Sequence, residues 1–111
     1  MDIKNKVRES EREYQQYKRT DHLIYLQQAG NKIFSAVENY MMVKYHQRHK
    51  SYEKVKEMIT DNADSKLLVD GAQLHYFFYN SDLQMSRYDA ETIFKSVLRE
   101  MKRRLRWNIR A

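Results

Sequence analysis

The sequence predicts an all-α fold, a compact bundle of four main helices plus a short connecting helix. Proline is absent from the 111 residues, and glycine occurs only at Gly30 and Gly71. A β-sheet domain of this length needs more turn-forming residues, whereas helices joined by short polar loops need few. The hydrophobic fraction of 41% is enough for a core and argues against a disordered chain.

The chain has room for one hydrophobic core, and we find no linker, internal repeat or low-complexity tract in it. We therefore predict a single domain over residues 1–111, with a polar N-terminus that frays over residues 1–9. Cysteine is absent, which excludes disulfides, thiolate zinc sites and cysteine nucleophiles. No signal-peptide core and no apolar run of about 20 residues occur, so we expect a cytoplasmic protein without a membrane span.

The first helix is predicted to begin at Ser10, because a serine followed three residues later by Glu13 has the form of a capping box. It is predicted to extend to about Gln28, although Thr20-Asp21 could instead cap a second helix. One side of this segment carries apolar positions, which are Tyr14, Tyr17 and Ile24.

The clearest core helix is predicted from Asn31 to about Gln47. Its apolar positions recur on one broad face, which indicates contact with several neighbours. A polar loop follows over residues 46–51, and Ser51 is predicted to cap the short connecting helix. The core positions of these two helices are Ile33, Phe34, Val37, Tyr40, Met41 and Tyr45, then Tyr52, Val55, Met58 and Ile59.

The fourth helix is predicted to begin at Asp64 or Ser65 and to end at the polar break over residues 80–82. Ser86 then caps the last helix. At about 100° per residue, the apolar positions of the last helix fall on one narrow stripe. Those positions are Ala90, Phe94, Val97, Leu98, Met101 and Leu105.

The net charge of +6 is concentrated at the C-terminus. Residues 95–111 hold seven basic residues against Glu100 alone, so the first 94 residues are neutral overall. Most of these basic side chains share an arc beside the apolar stripe, and a phosphate backbone binds such a row of cations. The predicted contacts are Lys95, Arg99, Lys102, Arg103, Arg106 and Arg110, with Trp107 as a platform for base stacking.

Two short stretches carry a family resemblance. Residues 29–36, AGNKIFSA, place an alanine and a lysine before an apolar pair and a small residue, and residues 72–79, AQLHYFFY, contain a Leu-His, two residues, Phe-Tyr segment. With the order of the helices, these stretches resemble the HEPN superfamily, most closely its small archaeal paREP-type members, over roughly residues 20–106. The resemblance implies an up-and-down bundle that commonly dimerises and has a role around RNA, nucleotides or toxin–antitoxin-like systems.

Many members of that family are ribonucleases with an Arg-x4-6-His signature at a dimer cleft, and this sequence departs from it. No arginine stands at that spacing before any of the histidines, which are His22, His46, His49 and His75. The weak catalytic candidates are His75, His49 and Arg48. We therefore lean against an enzyme and carry over no catalytic residue.

His75 lies on an apolar stripe, which favours a buried histidine held by one hydrogen bond over a cleft histidine that moves a proton. His46 and His49 stand three residues apart but lack nearby carboxylates to complete a metal site. Cationic residues at a helix end are the more frequent reason for such a pair. No metal and no cofactor are predicted.

The function favoured by the sequence is a non-enzymatic HEPN-like module that binds RNA or another polyanion through its last helix. The alternatives are a HEPN-type ribonuclease or toxin–antitoxin component, and a protein–protein adaptor that docks on an acidic partner. A homodimer is also expected. Gly71 in mid-helix indicates close helix approach, as at a subunit seam, and the aromatics Tyr76 and Phe77 lie off the core stripe.

Overall fold

The computed structural model describes residues 2–46, 52–78 and 85–105, and the described residues are helical with short turns and no strand. This confirms the all-α fold. Five α-helices occur in this part of the chain, and the fourth continues into one π-helical turn over Leu74–Phe78. The α-helices are α1 (Ile3–Thr20), α2 (Leu23–Lys44), α3 (Tyr52–Met58), α4 (Asn62–Gln73) and α5 (Arg87–Arg104).

The helix α1 begins at Ile3, so the fraying predicted for residues 1–9 was wrong for the part of this segment that the structure describes. Asp2 caps α1, and its side chain accepts a hydrogen bond from the Asn5 backbone N–H at 3.3 Å. Val7 is fully buried, so tertiary packing stabilises a stretch whose composition is polar. Ser10 is buried inside the helix and donates to the Val7 carbonyl at 2.7 Å, so it is not the predicted cap.

The first two helices are separated at Asp21. Its φ of 59° is left-handed, and its backbone N–H donates to the Tyr17 carbonyl at 2.7 Å, which closes the last turn of α1. The alternative break at Thr20-Asp21 is therefore confirmed, and a continuous helix to Gln28 was wrong. The second helix begins eight residues before Asn31, at Leu23, and ends at Lys44.

The remaining boundaries agree more closely with the sequence. The short connecting helix α3 is confirmed. Asp61 caps α4 in place of Asp64 or Ser65, since its side chain accepts from the Asp64 backbone N–H at 2.9 Å. Ser86 caps α5 as predicted, and its hydroxyl accepts from the Asp89 N–H at 3.0 Å. The predicted cap Ser51 and the break at residues 80–82 lie outside the described residues.

The central helix of the bundle is α2, which packs against α1, α3, α4, the π-helical turn and α5. Glycine allows two close approaches here. A Cβ on Gly71 would lie 3.2 Å from Phe34, and one on Gly30 would lie 3.1 Å from the Leu74 Cβ. The close approach that Gly71 predicted is therefore inside the chain, between α2 and α4. Buried side chains on α5 that join this core are Ala90, Phe94, Val97 and Met101.

The last helix lies between α1 and α4. Two ion pairs join it to α1, Lys18–Glu91 at 3.4 Å and Glu11–Lys102 at 2.8 Å. Their order along the two helices shows that α1 and α5 are antiparallel. Because one flank of α5 faces α1 and the other faces α4, the side opposite the core is left open to solvent.

Candidate polyanion-binding interface

The open side of α5 carries the basic flank predicted from the sequence. Lys95 and Arg99 are both exposed and stand four residues apart, one above the other on the helix. Neither makes an ion pair or hydrogen bond with any residue in the described part of the chain. We therefore name Lys95, Arg99 and Arg103 the α5 basic ridge, because Arg103 continues the same exposed side.

Arg103 is already paired within its own helix. Its Nε donates to the Glu100 carboxylate at 3.1 Å, and this bond is the main reason that the pKa of Glu100 lies below its ordinary value. The Arg103 side chain is nevertheless 69% exposed. Since an exposed ion pair contributes little free energy, the guanidinium remains available to an anionic ligand.

Lys102 belongs to the seam between α1 and α5. Its ammonium lies 2.8 Å from the Glu11 carboxylate, and the two side chains are only 26% and 31% exposed. Lys102 therefore packs between two helices and does not belong to the α5 basic ridge.

A groove between α4 and α5 borders the ridge. Its volume is about 360 Å³, and Lys66 from α4 faces Arg99 and Arg103 across it. Lys66 is 74% exposed and pairs with Asp70 at 2.7 Å. Lys66 was not predicted from the sequence, because only the packing of α4 on α5 places it here. The groove is lined by Ala63, Lys66, Leu67, Asp70, Ser96, Val97, Arg99, Glu100 and Arg103.

Arg104, one residue beyond the ridge, has a different environment. Its side chain is 9% exposed and lies 2.5 Å from the Asp64 carboxylate, which is 1% exposed, and 2.8 Å from Glu100. Lys44 at 2.7 Å and the Tyr45 hydroxyl at 2.6 Å complete the shell of Asp64. We name Asp64, Arg104, Glu100, Lys44 and Tyr45 the buried ionic cluster.

The buried ionic cluster keeps its central carboxylate charged. Burial alone would raise the pKa of Asp64, but hydrogen bonds from Lys44, Tyr45 and Arg104 outweigh it, so the pKa is lowered. Lys44 and Tyr45 lie at the C-terminal end of α2, and Arg104 lies at the C-terminal end of α5. Asp64 itself lies near the start of α4. The cluster therefore holds three helices together.

His75 lies in the π-helical turn and is half-buried. Its Nδ1 donates to the Asn31 side-chain oxygen at 2.7 Å, and its ring stacks on Phe34 with centroids 5.2 Å apart. Burial lowers the pKa of His75, so the ring is neutral near pH 7. This hydrogen bond agrees with the prediction that His75 is a hydrogen-bonded structural residue, and the partner is the side-chain amide of Asn31.

Several predicted site residues lie outside the described residues, namely Arg48, His49, Arg106, Trp107 and Arg110. Among the described residues, no group of three or more histidine, aspartate or glutamate side chains is arranged to hold a metal ion. The described helices include none that is long and apolar enough to cross a membrane. No protein-family model matches the chain, and no curated protein and no solved structure is significantly similar to it.

Proposed function

We propose that this protein is a non-enzymatic helical module that binds RNA or another polyanion through the α5 basic ridge. The observation that supports this function is the state of Lys95 and Arg99, which are exposed and have no ionic partner within the described residues. Cations on a face that serves only solubility are commonly paired at i, i+4 spacing. This pair therefore remains free to neutralise charge on a ligand.

The spacing of the ridge suits a chain of phosphates. Residues four apart on a helix differ by about 6 Å in height, so Lys95 and Arg99 present a row of positive charges along one line. Each phosphate that such a row neutralises releases condensed counterions, which favours binding at low salt.

The groove between α4 and α5 extends the same site sideways. Lys66 and Arg103 stand at its rim, while Leu67 and Val97 contribute apolar side chains to its lining. Because Leu67 and Val97 are only 4% and 1% exposed, they close the floor of the groove, and the cations at its rim are what it offers to a phosphate. Asp70 and Glu100 add hydrogen-bond acceptors at the same place.

The assignment to the HEPN superfamily, the homodimer and the cytoplasmic location are parts of this proposal. They rest on the two sequence stretches and on composition. A ribonuclease and an adaptor for an acidic protein remain as the alternatives that the experiment separates.

The test is a fluorescence-anisotropy titration of labelled RNA with the wild-type protein and a Lys95→Glu/Arg99→Glu variant. We expect the variant to lose at least about tenfold in affinity at low salt. The matched control is Lys54→Glu/Lys56→Glu, which makes the same change in charge on α3, a helix that packs mainly on α2. The control is expected to bind within about threefold of wild type.

The RNA is recovered after each titration and its length is checked. Intact RNA together with a selective loss in the α5 variant supports the proposal. Equal loss in both variants would show that total charge, and not this ridge, sets the affinity. Shortened RNA would favour a ribonuclease, and no binding at low salt would favour the adaptor.

A further inference from the structure

A second basic row lies on α1, which holds six basic residues against three glutamates although the charges of the first 94 residues sum to zero. Every glutamate of this helix faces a lysine of a neighbouring helix. Lys32 of α2 lies 3.9 Å from Glu9 and 3.2 Å from Glu13, and Lys102 of α5 lies 2.8 Å from Glu11. The acidic residues of α1 are thereby turned toward its neighbours.

The outward arc of α1 next to the seam with α5 consequently carries basic residues, and Glu9, which is 48% exposed, lies outside this arc. Four basic side chains and one glutamine fall within an arc of about 80° at 100° per residue, and all five are exposed. We name the four basic residues the α1 basic ridge. They are Lys4, Arg8, Arg12 and Arg19, and the glutamine among them is Gln15.

The two ridges face the same way. On each helix, the ridge is centred about 60–70° beyond the side chains of the seam, on the side away from the core. The seam is marked by Glu11 and Lys18 on α1 and by Glu91 and Lys102 on α5. Because the helices are antiparallel, this rotation has opposite sense on the two helices, so both ridges point to one outer face.

The separation of the ridges determines which ligand fits. Packed helices have axes about 8–10 Å apart, so the two rows of cations lie at least that far from each other. A single strand has one row of phosphates and follows one ridge. A duplex has two rows across a groove, and base-paired RNA is recognised mainly through backbone contacts across its minor groove.

We infer that the preferred ligand is base-paired RNA, held with one strand along the α5 basic ridge and the other along the α1 basic ridge. This inference rests on the proposed function, because it requires the α5 ridge to bind phosphate. It assigns to α1 a binding role that was not predicted from the sequence.

The test compares a labelled RNA hairpin stem with an unstructured single strand of equal length, by anisotropy at one low salt concentration. The α1 variant is Arg12→Glu/Arg19→Glu, the α5 variant is Lys95→Glu/Arg99→Glu, and the charge-matched control is Lys54→Glu/Lys56→Glu. Circular dichroism of each protein shows that the variant is folded.

We expect the α1 variant to lose about tenfold or more in affinity for the stem and less than about threefold for the single strand. The α5 variant loses affinity for both. An α1 variant that weakens both RNAs equally, or neither, overturns the duplex inference while the α5 result stands. An α5 variant that binds both RNAs like the control overturns the proposed function itself.

Discussion

Two arginines of the same helix, five residues apart, have opposite environments. Arg104 is 9% exposed and is enclosed by Asp64, Glu100 and the Tyr40 ring. Arg99 is exposed and has no ionic partner among the described residues. The difference arises because the C-terminal turn of α5 packs on the start of α4, where Asp64 is buried.

This comparison shows why a count of charges over a segment is a poor guide to a binding surface. Arg104 contributes to the count but is committed to the buried ionic cluster. Lys102 is committed to the seam with α1 in a similar way. The neutral charge sum over the first 94 residues conceals the opposite case on α1, where the glutamates pair with lysines of other helices and leave an outward row of cations.

The largest expected effect is a loss of stability when the buried ionic cluster is disrupted. Arg104→Ala leaves the buried carboxylate of Asp64 with Lys44 and Tyr45 but without its closest cation. Loss of one partner from a buried ion pair costs about 3–5 kcal/mol, and the remaining partners place this variant near the lower value. Urea unfolding followed by circular dichroism measures the change.

The control for that prediction is Arg103→Ala, one residue away on the open side. Its loss of stability should be far smaller than that of Arg104→Ala, because the Arg103 side chain is 69% exposed and water screens its ion pair with Glu100. Equal losses at the two positions would show that the buried ionic cluster is not what stabilises this end of the bundle.

Acid should weaken the buried ionic cluster. The pKa of Asp64 is lowered in the folded protein, so its contribution is present above the ordinary carboxyl pKa and is lost as the pH falls through the folded value. Unfolding free energies measured between pH 7 and pH 3 should decrease at the acid end, by up to about 1.4 kcal/mol per pH unit for each proton taken up.

Asp64→Asn is the matched variant for the acid series. It should be less stable than wild type at pH 7, because it removes the charge that Lys44 and Arg104 surround, and its stability should depend less on pH. A variant with an unchanged acid slope would show that other carboxylates, such as Glu91 and Glu100, account for the acid dependence.

The seam between α1 and α5 should show a smaller effect. Lys102→Ala removes a partly exposed ion pair with Glu11, which is worth about 0.2–1 kcal/mol. A double-mutant cycle with Glu11→Ala measures the coupling energy directly. A coupling near zero would mean that the ion pair between Glu11 and Lys102 does not stabilise the seam.

The smallest effect on stability is expected at the α5 basic ridge. Lys95→Ala/Arg99→Ala removes two exposed side chains without ionic partners among the described residues, so the free energy of unfolding should change by less than about 0.5 kcal/mol. A larger loss, measured by urea unfolding, would show that these cations stabilise the fold.

The sequence predicted α5 well, because its signals are local. Ser86 is a typical helix cap, and the apolar positions keep one period through Met101. The start of α1 was missed, since Val7 is one apolar residue in a polar segment and only packing makes it part of the core. The break at Asp21 was foreseen only as an alternative, because Thr20-Asp21 resembles the start of a helix as well as the end of one.

The candidate site could be predicted only in part. Lys95 and Arg99 are exposed as expected, since they lie on the arc beside the apolar stripe of their own helix. The different environments of Lys102 and Arg104 depend on Glu11 and Asp64, which belong to other helices. No periodicity within α5 shows where those carboxylates lie.

The most direct test of the central claim is the salt dependence of RNA binding by wild type and by Lys95→Ala/Arg99→Ala. If the two cations contact phosphates, a plot of log affinity against log salt for the variant should be shallower by about 1–2 units of slope. A variant with the slope of wild type would contradict the claim that the α5 basic ridge binds the polyanion.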